Sequence, residues 1–599
     1  MLIASAPVAQ MMAQAWRDLQ PFDGRFALAW RVALLCALVT GAAMTYRIPE
    51  AAISCYLVIF LMKSDAVMNC LMGIGLILLA SLVVVLMIPV INFSIDSPAI
   101  RLAIMYGASY VFLFLSSTTP LGEQAAIVGL IVAFIMTLVT MVPVGQIGDQ
   151  GLLAAWKMAC MPMALMVLFN LLLGVPAQTH VRNLIVRRLN VVADNMEHPG
   201  QREELVDLLG EGNDAALQQM LLVQLLHLVP RSQSDWLNGA VETSYRLLLA
   251  LTMPASSMTA ERRSEIAASI RQAVRQIEAK VIPSRPAFSP LDSYDEEFHT
   301  ALERLASPDG GASPKPASQP LLAADAFTNP DHQRYALKTS IAAILCYLIY
   351  TGIQWDGIHT ALITCYVAAL GTTGETVRKL TLRIVGCLVG AAMGCAALIY
   401  IMPVLTSVGG IMVLVFGAVL IAAWVSSGSE RISYCGVQIA LAFLLTTLNG
   451  FGPSFEFSQA GDRVIGILVG IFVIYLVFTQ FWPVSISRKI RHELSEAADR
   501  LQDLCRLPTR DRRADISITQ SIYKTLAEAP NALNMASFEP RHQRASAANL
   551  ERLDRIRAEL DNLYRTLRFA EPVPQGVTHH LENLKSELSN QRIQPLKYD

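Results

Sequence analysis

Residues 357–386 read GIHTALITCYVAALGTTGETVRKLTLRIVG, and residues 49–75 read PEAAISCYLVIFLMKSDAVMNCLMGIG. Each places a short apolar run between polar groups. Glu50 precedes one run and Lys63 and Asp65 follow it; His359 precedes the other, and Glu375, Arg378, Lys379 and Arg383 follow. Working outward, Arg25-Phe-Ala-Leu matches Arg334-Tyr-Ala-Leu, Ser54-Cys-Tyr matches Thr364-Cys-Tyr, and Asp65-Ala-Val matches Glu375-Thr-Val, with the offset changing by only one residue. Register held over that distance marks tandem copies, and internal repetition is usual in transporters.

The rest of the chain explains why such runs occur twice. Of 599 residues, 53% are hydrophobic and 16% charged, against about 25% charged in soluble domains, and the mean hydropathy is +0.44. Charge is concentrated in 177–330 and 484–599, so two oily blocks alternate with two water-soluble ones. A net charge of −1 gives no electrostatic footing for a nucleic-acid partner. Nine of the ten cysteines fall in apolar runs without metal-ligand spacing, so no disulfide framework or metal site is implied. No Walker A, GxSxG or HExxH pattern is present, which argues against an ATP-driven machine or an enzyme and leaves an ion gradient as the natural drive.

Crossing the hydrocarbon as a helix takes roughly 20 apolar residues. The first block gives spans near 27–46, 50–63, 67–88, 101–117, 124–143 and 153–175, and the second near 334–353, 357–371, 380–402, 408–425, 432–449 and 463–482. The expected fold is an all-α polytopic membrane protein: two parallel six-span repeats in lipid plus helical cytoplasmic domains. Its parts are an N-terminal interfacial or cytoplasmic segment (1–26), a first membrane repeat (27–176), a helical domain (177–306), a Pro/Ser/Gly-rich flexible linker (307–330), a second membrane repeat (331–483) and a helical C-terminal domain (484–599). Arg182, Arg187 and Arg188 follow the first block, and Arg488, Lys489 and Arg491 follow the second. By the positive-inside rule both termini are then cytoplasmic. In 547–569, Leu550, Leu553, Ile556, Leu560, Leu563 and Leu567 share one helix face, to be covered by the neighbouring cytoplasmic segment or by a second copy in a homodimer.

The second span of each block is short, which points to a transport site where unwound backbone lines a cavity. Glu50, Ser54 and Tyr56 in one copy, and His359, Thr360, Thr364 and Tyr366 in the other, form polar stripes that could face one another along a substrate and proton pathway. His359 is the sharper candidate because its ordinary pKa lies near neutrality; the competing reading is an interfacial histidine bonded to Asp356. Lys63, Asp65, Glu375, Arg378, Lys379 and Arg383 read either as topology anchors or as an electropositive cytoplasmic vestibule gathering anions. Asp462 and Arg463 read as an outer ion pair, and Gly386, Gly390 and Gly394, like Gly466 and Gly470, as close-packing positions.

The run GIHTALITCYVAALGTTGETVRKLTLRIVGCLVGAAMG, with RIPEAAISCYLVIFLMKSDA in the first copy, resembles the fusaric acid resistance and aromatic acid exporter family. The likeness covers both membrane blocks; the soluble segments match only in position and helical character. It implies a bacterial inner-membrane pump, driven by the proton gradient, that exports aromatic carboxylates or similar drugs. It further implies a three-part system with a periplasmic adaptor and an outer-membrane channel, and no cofactor. The matched motif carries His359, Thr360, Thr364, Glu375, Lys379, Arg383 and Gly386. The first copy departs at Lys63-Ser64-Asp65, so a site built on both copies is asymmetric. A passive organic-anion channel and a membrane scaffold acting through its cytoplasmic helices are the rival functions.

Overall fold

The computed structural model describes residues 16–589 except for 23, 49, 95, 121, 139–145, 199–201, 253–257, 292, 312–321, 324, 430, 450–451, 454–456, 509–515 and 570–575. Two compact units emerge: residues 1–174 with 319–484, and residues 175–318 with 485–599.

The first unit opens with six helices: α1 (Arg25–Thr45), α2 (Ala51–Leu61), α3 (Ala66–Ser94), α4 (Pro98–Thr118), α5 (Glu123–Leu138) and α6 (Gln146–Leu173). The second unit then contributes α7 (Ala177–Glu197), α8 (Arg202–Glu211), α9 (Asp214–Leu225), α10 (Arg231–Ala250), α11 (Ala260–Glu278) and α12 (Ser293–Leu305). The chain returns to the first unit as α13 (Pro330–Gly352), α14 (Thr360–Ala368), α15 (Thr373–Tyr400), α16 (Val408–Ser426), α17 (Ser433–Thr447) and α18 (Phe457–Gln480). It finishes in the second as α19 (Ile486–Arg506), α20 (Ile516–Met535), α21 (Ala547–Phe569) and α22 (Val577–Ser589). A two-residue ladder, Leu448–Asn449 against Gly452–Pro453, follows α17.

Helix starts follow capping chemistry. Ser97 with Pro98 opens α4, Asn329 with Pro330 opens α13, Thr372 opens α15 and Ser407 opens α16, each side chain accepting from an otherwise orphan N–H. Among the described residues, eight helices are long and apolar enough to cross a membrane: α1, α3, α4, α6, α13, α15, α16 and α18. Twelve spans were expected, the second of each half already a short one. The second and fifth helices of each half fall short of the length a crossing requires: α2 has 11 residues, α5 16, α14 9 and α17 15. Long helices surround the short ones. Every residue of α17 from Cys435 to Thr447 is buried, whereas α3 turns Leu78, Leu82, Val85 and Leu86 outward, as a lipid-facing helix does.

The packing partners cross between halves. α1 lies on α16 and α13 on α4; α2 touches α17 and α14 touches α5. Arg25, 1% exposed, fastens the first of these crossings: Nε and Nη2 donate to Trp424 O at 2.9 and 2.6 Å, and Nη1 donates to Asp18 O at 2.9 Å and Gln20 O at 2.6 Å. The Trp424 indole in turn donates to Leu19 O.

In the second unit the stripe on α21 is covered within the chain. Leu553, Ile556, Leu560, Tyr564 and Leu567 are buried against α19 and α20, with Tyr564 standing where Leu563 was expected. The described ends of the linker make hydrogen bonds, while 312–321 and 324 lie outside the described residues. Thr243 donates to Gly310 O beside Trp236, and Ala323 N donates to Thr118 O within the first unit. Buried Arg188 is met by Asn213 Oδ1 and the carbonyls of Gly212 and Val241, and burial pulls its pKa down to about 10. Glu539 caps α19: its carboxylate accepts from Ile486 N at 2.7 Å and from Ser485 Oγ at 3.1 Å, and burial pushes its pKa up.

Candidate functional site

The short helices α2 and α14 organise the site. Helices α1 and α13 end alike, with a non-glycine residue in the left-handed region, Arg47 at φ 50° and Gln354 at φ 54°, followed by a bond back across the last turn (Ile48 N to Ala43 O; Trp355 N to Tyr350 O). These turns deliver Glu50 and His359 to the starts of α2 and α14. Glu50 also has a left-handed backbone, φ 54°. Its Oε2 accepts from Arg463 Nη2 at 3.2 Å, joining the two halves. Asp462 instead accepts from Trp355 Nε1 at 3.0 Å. The expected Asp462–Arg463 pair is therefore replaced: neighbours on a helix point to different sides, and each finds its own partner. His359 bonds through Nδ1 to Asp356 O at 3.0 Å, the interfacial arrangement, with its ring 5.9 Å from Phe134. Gly466 and Gly470 let α18 press on α14, so Thr360 Oγ1 reaches Arg463 O at 3.2 Å.

The opposite ends of α2 and α14 turn back into α3 and α15 through short stretches of non-helical backbone. Asp65 caps α3 by accepting from Val67 N; Thr372 and Glu375 form a reciprocal capping box on α15. Four residues beyond each cap, one side chain clamps the turn. Asn69 bonds both N–H and C=O of Lys63 and reaches Asn170 at 2.9 Å; Thr376 bonds both N–H and C=O of Leu370. Structurally Asp65 thus corresponds to Thr372, not to Glu375. α2 continues five residues past Tyr56, while α14 stops two past Tyr366, which displaces the register that the sequence suggests.

These contacts also redraw the expected vestibule. Asp65 is 3% exposed and Arg383 2%, and both Asp65 and Glu375 serve as helix caps, so these three do not form an open cation-lined mouth. Lys63 is exposed, and Arg378 and Lys379 are partly so. Lys379 Nζ lies 5.1 Å from the ring centre of Tyr434, whose hydroxyl accepts from Arg383 Nη1 at 2.9 Å.

Between the two ends, the expected polar stripes do not face one another. Ser54 donates to Met158 O at 2.8 Å and Thr364 to Thr360 O at 2.8 Å, each satisfied by helix backbone. Cysteines mark equivalent depths: Cys36 with Cys55, and Cys346 with Cys365. Tyr366 bonds Ser109 and lines a cavity of about 230 Å³ together with Phe60, Ser117, Leu130 and Tyr335. Phe60 in turn stacks on Tyr56, ring centres 6.0 Å apart. At the rim, Ser117 Oγ lies 2.6 Å from His332 Nδ1, and His332 Nε2 is 3.5 Å from Asp325. Sequence reasoning passed over His332, Asn69, Thr376, Tyr434 and Gln438. For the last, the signal was available: a lone amide inside SYCGVQIALAFLLTT.

Eight long apolar helices among the described residues, with short, polar-ended ones packed between them, define a helical multi-pass membrane protein. The fusaric acid resistance protein family is matched by residues 332–590. Multidrug resistance protein MdtO of Escherichia coli O6:H1 is 27% identical over 521 residues, covering 84% of this chain and 76% of that protein. The MdtO of strain K12 gives the same figures, 27%, 84% and 76%, and that of Shigella flexneri is 27% identical over 491 residues, 79% of this chain and 71% of its own. No solved structure matches.

Proposed function

We propose that the chain is a bacterial inner-membrane efflux transporter that exports small organic anions, aromatic carboxylates foremost. In this reading the proton gradient drives export, and a periplasmic adaptor and an outer-membrane channel carry the substrate onward. The two membrane halves act as parallel repeats, and both soluble segments and both termini are cytoplasmic.

The observation that carries this reading is the shortness of α2 and α14. At 11 and 9 residues they measure about 16 and 13 Å, against about 30 Å of hydrocarbon. Glu50, Arg463, His359 and Asp462 at one end, and Asp65, Asn69 and Thr376 at the other, are separated by only about half of the usual apolar barrier. An aromatic-walled cavity of about 230 Å³ at the junction of the halves suits a single-ring solute, lying below the usual range of drug-sized sites. The relatives' name, multidrug resistance protein, agrees with export of small molecules.

Proton coupling is assigned to Glu50 and His359, the ionisable groups at the junction of the halves, and a proton can drive export only by favouring one state over the other. Everted vesicles given benzoate in the bath test it, export being read as uptake into the lumen. Export is expected to stop when a protonophore collapses the gradient and to fall at least tenfold in the Glu50→Gln, His359→Ala double variant. Export that survives the protonophore, or an unaffected double variant, overturns the coupling.

A further inference from the structure

The seam between α15 and α17 contains a charge without a counter-charge. Arg383 is 2% exposed; it gives one hydrogen bond, to Tyr434, and its Nε is buried without an acceptor. The titratable groups in electrostatic contact with it include Tyr434, Cys387, Tyr56 and Cys365, with no carboxylate among them. One helical turn beyond Tyr434, Gln438 is fully buried, and both its amide oxygen and its amide nitrogen lack a partner. Gly386, three residues past Arg383, brings the helices together there: a Cβ on it would stand 2.7 Å from Gln438 Cβ. A buried guanidinium and a buried amide with unused donors are each costly in a low-dielectric interior, and here both stand at one seam.

We propose that Arg383, Gln438 and Tyr434 form an occluded binding site for a monoanionic aromatic carboxylate. One carboxylate offers acceptors to the guanidinium Nε–H and the amide N–H and neutralises the single cation. A dianion would leave net negative charge in the membrane interior, and a neutral amide would leave the positive charge unanswered. The aromatic part of the ligand is argued from Tyr56, which lies within electrostatic range of Arg383 and stacks on Phe60, itself a wall of the 230 Å³ cavity. This names the substrate site of the function proposed above and rests on that reading for its biological use, though binding is measurable without transport.

The test is equilibrium dialysis of the purified full chain in nanodiscs at neutral pH with radiolabelled benzoate, competed by neutral benzamide and by the dianion phthalate. Saturable benzoate binding is expected, with both competitors at least tenfold weaker. Arg383→Met is expected to weaken benzoate at least tenfold while leaving the thermal midpoint of the ligand-free protein unchanged or raised, because it removes an unpaired buried charge and retains the volume. Gln438→Met is expected to weaken benzoate by a smaller factor. Unaltered benzoate affinity in Arg383→Met overturns the site. So does a ligand-free Arg383→Met protein that melts well below the parent, since the guanidinium would then be structural. Proton-independent export with intact binding would refute the coupling alone; lost binding with intact proton-driven export would refute this site alone.

Discussion

Helices α3 and α15 occupy the third place in each half and start from the same kind of clamped turn, yet they settle on different neighbours. α15 lies along α17, and α3 lies along α6. Aligned from their caps, Gly386, Gly390 and Gly394 of α15 correspond to Leu79, Val83 and Met87 of α3. The three glycines let α15 approach the backbone of Cys435 and Ile439, and bulky side chains at the matching places deny α3 the same approach to α5. The relation reverses on the other flank. Gly73 of α3 meets Val167 and the Met163 carbonyl of α6, where α15 presents buried Leu380. Arg383, the buried cation of α15, has Leu76 as its counterpart, so the exchange of glycines and the placing of the charge belong to one asymmetry.

The contrast is broken most forcefully at its glycines. Gly390→Leu forces a side chain into Ile439 O and Ala442 and is expected to cost about 3 kcal/mol or more. Gly75→Leu on α3, where nothing lies within 4 Å, should change stability by less than about 0.5 kcal/mol. Thermal unfolding of both variants in detergent decides the matter, and equal midpoints would remove the explanation from the glycines. Next come the clamps. Asn69→Ala strands two backbone groups and Asn170, for an expected loss of about 2–3 kcal/mol. Thr376→Ala strands two backbone groups, for about 1–2 kcal/mol. A reversed order would show that the two turns are not held in the same way.

A smaller effect is expected where the halves meet. Glu50 is 36% exposed and Arg463 12%, so their coupling in a double-variant cycle of Glu50→Gln and Arg463→Met should be about 1 kcal/mol or less. The smallest effect lies in the soluble unit, where Arg188 is amply bonded and Glu539 is an acid made weaker by burial. The folded chain holds the Glu539 proton more tightly than the unfolded chain does. Its contribution to stability is therefore whole below the ordinary carboxylate pKa and is lost as pH rises through the raised folded value. Glu539→Gln keeps an acceptor for Ile486 N and does not titrate. Its melting temperature relative to the parent should climb between about pH 4 and pH 7, and a constant difference would contradict the assignment.

Much of this architecture was legible in the residues because lipid permits few solutions: a helix must hide its own backbone, so apolar length reveals each element. The shortness of α2 and α14 was visible in the polar groups that bracket them. What could not be read was direction. Ser54 and Thr364 look like pathway residues until Met158 O and Thr360 O are seen beneath their hydroxyls. Asp65 looks like the equivalent of Glu375 until α14 is found to stop earlier than α2. Arg383 looked like an entrance charge because sequence gives its distance along the helix and not which neighbour covers it.

The Arg25 bonds reach past their own surroundings. By holding α1 to Trp424 and to the stretch before it, they weld the start of the chain to a helix lying some four hundred residues further on. A split of the membrane unit into its amino-terminal and carboxy-terminal portions would tear that weld. Bodies assembled crosswise, α1 with α16 and α13 with α4, could part from each other with it whole.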